Sequence, residues 1–126
     1  MIVDTSAVVA IAREEPEAER VLRMLREAGK ASMSVASFVE LSIVLRAEAS
    51  VEQVLSVLAG LGVECVPVDV VQANVAAGAY RRYGRGSGHP AKLNYGDVFS
   101  YALAATSGRE LLFVGDGFGH TDIQAA

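Results

Sequence analysis

Four short apolar segments, each separated from the next by residues of helical periodicity, limit this chain to a narrow set of folds. Met1–Val3, Ser32–Val35, Val63–Val68 and Leu111–Val114 have the length of strands rather than helices. Between them lie stretches whose apolar residues recur every three or four positions. This alternation predicts an α/β fold: a three-layer α/β/α domain with a mostly parallel central sheet. Right-handed crossovers bring the carboxyl ends of the strands to one edge of that sheet. The 126 residues suffice for one core, so residues 1–126 read as a single domain.

The helix boundaries follow from local chemistry. Thr5 and Ser6 offer caps for a helix through Ala7–Ala12. Pro16 opens a second helix, whose Ala18, Val21, Leu22, Leu25 and Ala28 share a face until Gly29 ends it. Ser37 and Glu40 have the spacing of a capping box, which places Glu40 in the first turn of the next helix. Ser50 and Asp69 cap two more, and the last runs from about Tyr95 to Thr106, ahead of Gly108. Pro67 marks Val63–Val68 as an edge strand.

Composition excludes several classes. With 52% hydrophobic and 21% charged residues the chain is globular rather than disordered. Its longest apolar run, Val3–Ala12, is broken by Asp4, Thr5 and Ser6 and falls short of the roughly 20 residues of a membrane span. No basic segment precedes it, so no signal peptide is expected. Cys65 is the one cysteine, which rules out an intrachain disulfide. Among Val63, Val66 and Val68 it reads as a small buried apolar residue, in keeping with a cytoplasmic protein.

Four acids fall at the predicted functional edge. Asp4 follows the first strand, Glu40 opens the helix after the second, Asp97 opens the last helix, and Asp116 follows the fourth strand. Each has a local explanation: Asp4 as a cap, Glu40 in a box with Ser37, Asp97 paired with Asn94, and Asp116-Gly117 as a turn. In a doubly wound fold the same caps also crowd the acids together at the ligand-binding edge. Converging carboxylates repel one another, and a hard divalent cation such as Mg²⁺ or Mn²⁺ relieves that repulsion. Such a site suits activation of water and stabilisation of charge on a phosphoryl group. His89 and His120 have no second ligand at zinc spacing, and the chain has neither a Walker A motif nor a G-x-G-x-x-G.

The net charge of -4 argues against a polyanionic partner, but the charge is segregated. Arg81, Arg82, Arg85 and Lys92 fall between Tyr80 and Lys92 with no acid among them, directly ahead of Asp97. Cations neutralise phosphates, and Tyr80 or Tyr83 offers a stacking surface for an unpaired base. The competing reading is a solvated, mobile loop.

MIVDTSAVVAI, SFVELSIVL, AYRRYGRGSGHPAKLNYGDVFSYALA and LLFVGDGF…TDI together resemble the PIN-domain ribonucleases, and among them the VapC toxins of VapBC toxin–antitoxin systems. The resemblance spans almost the whole chain. It implies Asp4, Glu40 and Asp97 as the metal-binding and catalytic acids, with Ser6 of the D-T-S motif as a supporting residue; Asn94, from its capping spacing to Asp97, is a second supporting residue. The group commonly has a fourth acid in a G-N-D-F context. Here Asp116 stands at the asparagine position and Gly117 at the acid's, so Asp116 or Asp122 is the candidate fourth acid. The resemblance further implies Mg²⁺-dependent endoribonuclease cleavage of single-stranded regions of structured RNA by metal-activated water; the segregated charge of Arg81, Arg82, Arg85 and Lys92, read from the sequence itself, makes them the candidate RNA-binding residues. It also implies a homodimer inhibited by a cognate VapB antitoxin. Two rival readings are a non-catalytic PIN-like module that binds RNA or protein and, less well matched, a Mg²⁺-dependent phosphatase, which would favour D-x-D over D-T-S.

Overall fold

The computed structural model describes residues 1–126. Four parallel strands, β1 (Ile2–Val3), β2 (Ala31–Ser34), β3 (Val63–Val66) and β4 (Leu111–Leu112), form one sheet in the order β3-β2-β1-β4. Six helices connect them: α1 (Thr5–Ala12), α2 (Ala18–Ala28), α3 (Val35–Val44), α4 (Val51–Gly60), α5 (Val70–Tyr83) and α6 (Asp97–Ser107). The expected α/β architecture is therefore present, with β3 at an edge as Pro67 predicted.

The strands alternate their side chains between two cores. Ile2 and Leu111 join the side chains of α5 and α6 on one face, whereas Val3 and Leu112 join those of α1 to α4 on the other. That period-two alternation makes the three layers. β1 is central, with Ile2 and Val3 both fully buried, so the residue that follows it is held rigidly at the carboxyl edge of the sheet.

Several boundaries differ from expectation. Of the caps offered for α1, Asp4 takes the role and Thr5 and Ser6 do not: the Asp4 side chain accepts the Ser6 N–H. α3 begins three residues earlier than the Ser37–Glu40 spacing suggests. Ser34 ends β2 in an extended conformation and accepts the Ala36 N–H at 3.3 Å, so it takes the cap. Ser37 lies inside the helix, fully buried, and Glu40 falls in the second turn rather than the first. β2, β3 and β4 end before Val35, Pro67 and Phe113 respectively. Cys65 is half-buried rather than enclosed, because β3 has no neighbour on its outer side.

Candidate active site

Asp4 leaves β1 at the carboxyl edge and is 2% exposed, and both of its carboxylate oxygens are hydrogen-bonded. Its Oδ2 accepts the Ser6 N–H at 2.9 Å and the Ser6 hydroxyl at 2.7 Å, and its Oδ1 accepts the Ser100 hydroxyl at 2.6 Å. The Ser6 oxygen in turn accepts the Val114 N–H at 3.0 Å, which ties the exit of β4 to the same carboxylate. Ser100 has one proton, and Asp4 takes it; the 3.0 Å contact between Ser37 and Ser100 therefore has Ser37 as donor. A continuous chain of hydrogen bonds thus fixes Asp4 from three elements, α1, α3 and α6.

Asp97 stands at the start of α6. The Asn94 N–H donates to Asp97 Oδ2 and the Asp97 N–H donates to Asn94 Oδ1, each at 2.8 Å. This reciprocal pair, expected from the sequence, closes the turn ahead of the helix and fixes the carboxylate's direction. Behind it Val98, Ser100, Tyr101, Ala102, Leu103 and Ala104 are buried, which anchors the helix.

Glu40 reaches the same place from α3, half-buried against the first turn of α6. Burial pushes its carboxyl pKa upward; the adjacent Thr5 hydroxyl opposes this and the charge of Asp4 adds to it. Asp97 shows the same pattern more strongly. Burial is the main cause of its rise to about 6, opposed by the Asn94 N–H, reinforced by the charges of Asp4 and Glu40, and opposed again by Arg85. Asp4, Glu40 and Asp97 therefore share one electrostatic environment with a deficit of positive charge.

Their donor chemistry fits a hard divalent cation: carboxylate oxygens only, with like-charge repulsion that such an ion would relieve. As the side chains stand, no three acidic, histidine or cysteine residues close around one point as a finished metal cage.

Asp116 is placed elsewhere. Its side chain is exposed in a shallow groove with Glu17, Arg20 and Phe113, and it is not among the charges acting on Glu40 or Asp97. Asp122 is engaged too: it accepts the Tyr101 hydroxyl at 2.7 Å, which holds its pKa low, and lies 3.9 Å from Arg82.

The segment from Gly84 to Lys92 is pinned rather than a loose loop. Gly84 and Leu93 form a bridge, and the Arg85 N–H donates to the Leu93 carbonyl at 2.9 Å. Ser87 caps the turn through the Gly84 carbonyl, and the Ala91 N–H donates to His89 Nδ1. Arg81, Arg82, Arg85 and Lys92 are all exposed, with Arg85 near enough to act on Asp97 and Arg82 lying 4.7 Å over the Tyr83 ring. Tyr83 is 2% exposed and packs edge-on with His89, which removes it as a stacking surface; Tyr80, at 39%, is the tyrosine that faces solvent.

Sequence reasoning misses Ser100 as a site residue and reads Ser37 only as a helix cap. Ser100 had a signal, since it lies one helical turn after Asp97 and shares its face. Beside Glu40 runs an apolar groove of about 420 Å³ formed by Ala36, Val39, Ile43, Val44, Tyr95 and Phe99.

Known proteins bear on this arrangement. The PIN domain family model matches residues 1–124. Ribonuclease VapC42 of Mycobacterium tuberculosis (strain ATCC 25618 / H37Rv) is 47% identical over 129 aligned positions, covering 100% of this chain and 98% of that protein. Ribonuclease VapC of Mycolicibacterium smegmatis is 45% identical, covering 99% and 98%. Among solved structures, Mycobacterium tuberculosis VapC20, a sarcin–ricin loop cleaving toxin, superposes with a TM-score of 0.77 at 14% identity, over 99% of this chain and 97% of that one. That likeness carries the fold; the family rests on the sequence matches. A parallel sheet whose carboxyl edge gathers Asp4, Glu40 and Asp97, matched from end to end by ribonucleases of one kind, places this chain in the PIN-domain family, among its VapC ribonucleases.

Proposed function

We propose that residues 1–126 act as one catalytic domain, the endoribonuclease toxin of a type II toxin–antitoxin pair, with Asp4, Glu40 and Asp97 as its metal-holding acids. The observation that carries this reading is that three carboxylates from separate elements act on one another: burial raises the pKa of Glu40 and of Asp97, and the charges of the neighbouring acids add to both rises. Mg²⁺ or Mn²⁺, when bound, would supply an activated water and stabilise charge on the phosphoryl group being cut. The rest is done by the chain's own residues. Ser6 and Ser100 hold both oxygens of Asp4 in place, and Asn94 holds Asp97. Arg85 is near enough to act on Asp97, where it can take a phosphate adjoining the scissile one, and Arg81, Arg82 and Lys92 are further exposed cations on the same segment. Tyr80 is the candidate for base stacking. Asp116 lies outside the metal set in this reading, at the end of a neighbouring strand.

The substrate is RNA with unpaired bases in a folded context, and the sarcin–ricin loop that the VapC20 neighbour cleaves is a suitable first test. The protein partner is a VapB-type antitoxin. The apolar groove next to Glu40 suits an apolar segment of that partner, and a basic side chain alongside would neutralise the acids. No helix of the chain is long and apolar enough to cross a membrane. We further assign a homodimer acting in the cytoplasm.

Cleavage of a sarcin–ricin stem-loop and of other structured RNAs, with Mg²⁺, Mn²⁺ or EDTA, tests the reading. Wild type should cut in a metal-dependent way and Asp97→Asn should not. Equal cutting by both proteins, or none by wild type across the RNAs, returns the chain to a non-catalytic binding role.

A further inference from the structure

Gly96 has no backbone reason to be glycine. Its φ of -67° and ψ of -39° are right-handed helical values that any residue adopts. Glycine at this point also forfeits helix propensity ahead of α6. The reason lies in the space beside its Cα. A Cβ built there would overlap Oε2 and Cδ of Glu40 and sit 2.8 Å from Oε1, so its three nearest neighbours are all atoms of that one carboxyl group. Gly60, Gly78 and Gly119, by contrast, have open space where a Cβ would go.

The Glu40 carboxylate is thus laid directly over the residue preceding Asp97. Glu40 comes from the second turn of α3, and its side chain is flexible enough to lie in several directions. Without a side chain at 96 it can rest against the N-terminal end of α6, where the helix dipole favours an anion. Any side chain at 96 would take that seat. Because the intruding contact is with the far end of a flexible side chain, the backbone and core need not move.

We propose that Gly96 is a positioning residue whose missing side chain seats the Glu40 carboxylate beside Asp97, the placement in which the two carboxylates share one divalent cation. The proposal rests on the metal-dependent reading given above. It predicts that Gly96→Ala harms the metal site without harming the fold.

The test is a double-mutant cycle in Mn²⁺ affinity, measured by titration calorimetry on wild type, Gly96→Ala, Glu40→Ala and the double variant, with melting temperatures taken in EDTA. Gly96→Ala should melt at or above the wild-type temperature and bind Mn²⁺ at least tenfold more weakly. In the Glu40→Ala background the same substitution should change the affinity less than twofold, since no carboxylate is left to displace. An unchanged affinity in Gly96→Ala, an equal loss in the Glu40→Ala background, or a Gly96→Ala chain that fails to fold would each overturn the proposal. Failure of the underlying metal reading looks different: wild type then shows no Mn²⁺ binding, or Glu40→Ala binds as wild type does.

Discussion

Removing the charge of Asp97 should stabilise the metal-free protein, although it removes a group proposed as essential to its activity. The folded chain holds this carboxyl at a pKa of about 6 against an ordinary value of 3.8. Each tenfold change in a protonation equilibrium is about 1.4 kcal/mol, so keeping Asp97 ionised costs the fold about 3 kcal/mol. The group is partly exposed, and solvent screening reduces this to about 1.5 kcal/mol. Asp97→Asn removes that cost. It keeps an oxygen to accept the Asn94 N–H but forfeits the favourable interaction of a charge with the helix N-terminus, about 0.5 kcal/mol. The net gain is about 1 kcal/mol, or about 4 °C in melting temperature for a domain of this size. The sign of the pH dependence follows from the raised value. Between pH 3.8 and about 6 the folded state binds more protons than the unfolded one, so this group's penalty is absent at low pH and complete above pH 6. Melting curves in EDTA should therefore show Asp97→Asn above wild type at pH 8, with the gap closing by about pH 4. A variant less stable than wild type at pH 8, or a gap that does not change with pH, would refute the cost assigned to an ionised, buried Asp97 among other acids and leave it as a cap.

Ser100→Ala should cost about 1–3 kcal/mol in urea unfolding, because it leaves a buried Asp4 oxygen and the Ser37 hydroxyl without their partner. A change under about 0.5 kcal/mol would mean that the hydrogen-bonded chain is not intact in solution. Arg85→Ala and Arg82→Ala should each weaken RNA binding and lower the salt slope of log affinity by about 0.7 for every phosphate of a single strand that is no longer neutralised. Arg85→Ala should cost more, since Arg85 is the cation that acts on Asp97 whereas Arg82 is shared with Asp122 and the Tyr83 ring. Filter-binding titrations at several salt concentrations measure both, and an unchanged slope would make these residues mere solubilising charge.

The strand–helix alternation was legible because it is periodic, and periodicity survives ignorance of tertiary contacts. The reciprocal Asn94–Asp97 pair was legible for the same reason: it is local. The cap of α3 was not, since Ser34 and Ser37 have the same chemistry and lie three residues apart. What separates them is the backbone: Ser34 ends β2 in the extended conformation of a cap, whereas Ser37 lies inside the helix and donates its hydroxyl to Ser100, 63 residues further along the chain. The missed role of Ser100 is the other half of that contact. Tyr80 and Tyr83 were indistinguishable in the sequence, because which one is buried depends on how α5 packs against α6. Gly96 was the least visible. Nothing near it requires a glycine, and only the approach of a side chain from α3 reveals why one is there. Asp116 is the converse case: its position in the chain suggests the acidic set, but its side chain lines a groove with Glu17, Arg20 and Phe113, a placement that depends on the turn after β4 rather than on any local pattern.

Asp4, Glu40 and Asp97 together are proposed to form one divalent-cation site from which Asp116 is absent. Mn²⁺ titration calorimetry on wild type and on Asp4→Asn, Glu40→Gln, Asp97→Asn and Asp116→Asn tests this most directly. Wild type should bind saturably, each of the first three variants should lose at least tenfold in affinity, and Asp116→Asn should stay within twofold of wild type. Wild-type affinity in any of the first three, or a loss in Asp116→Asn as large as theirs, would contradict it.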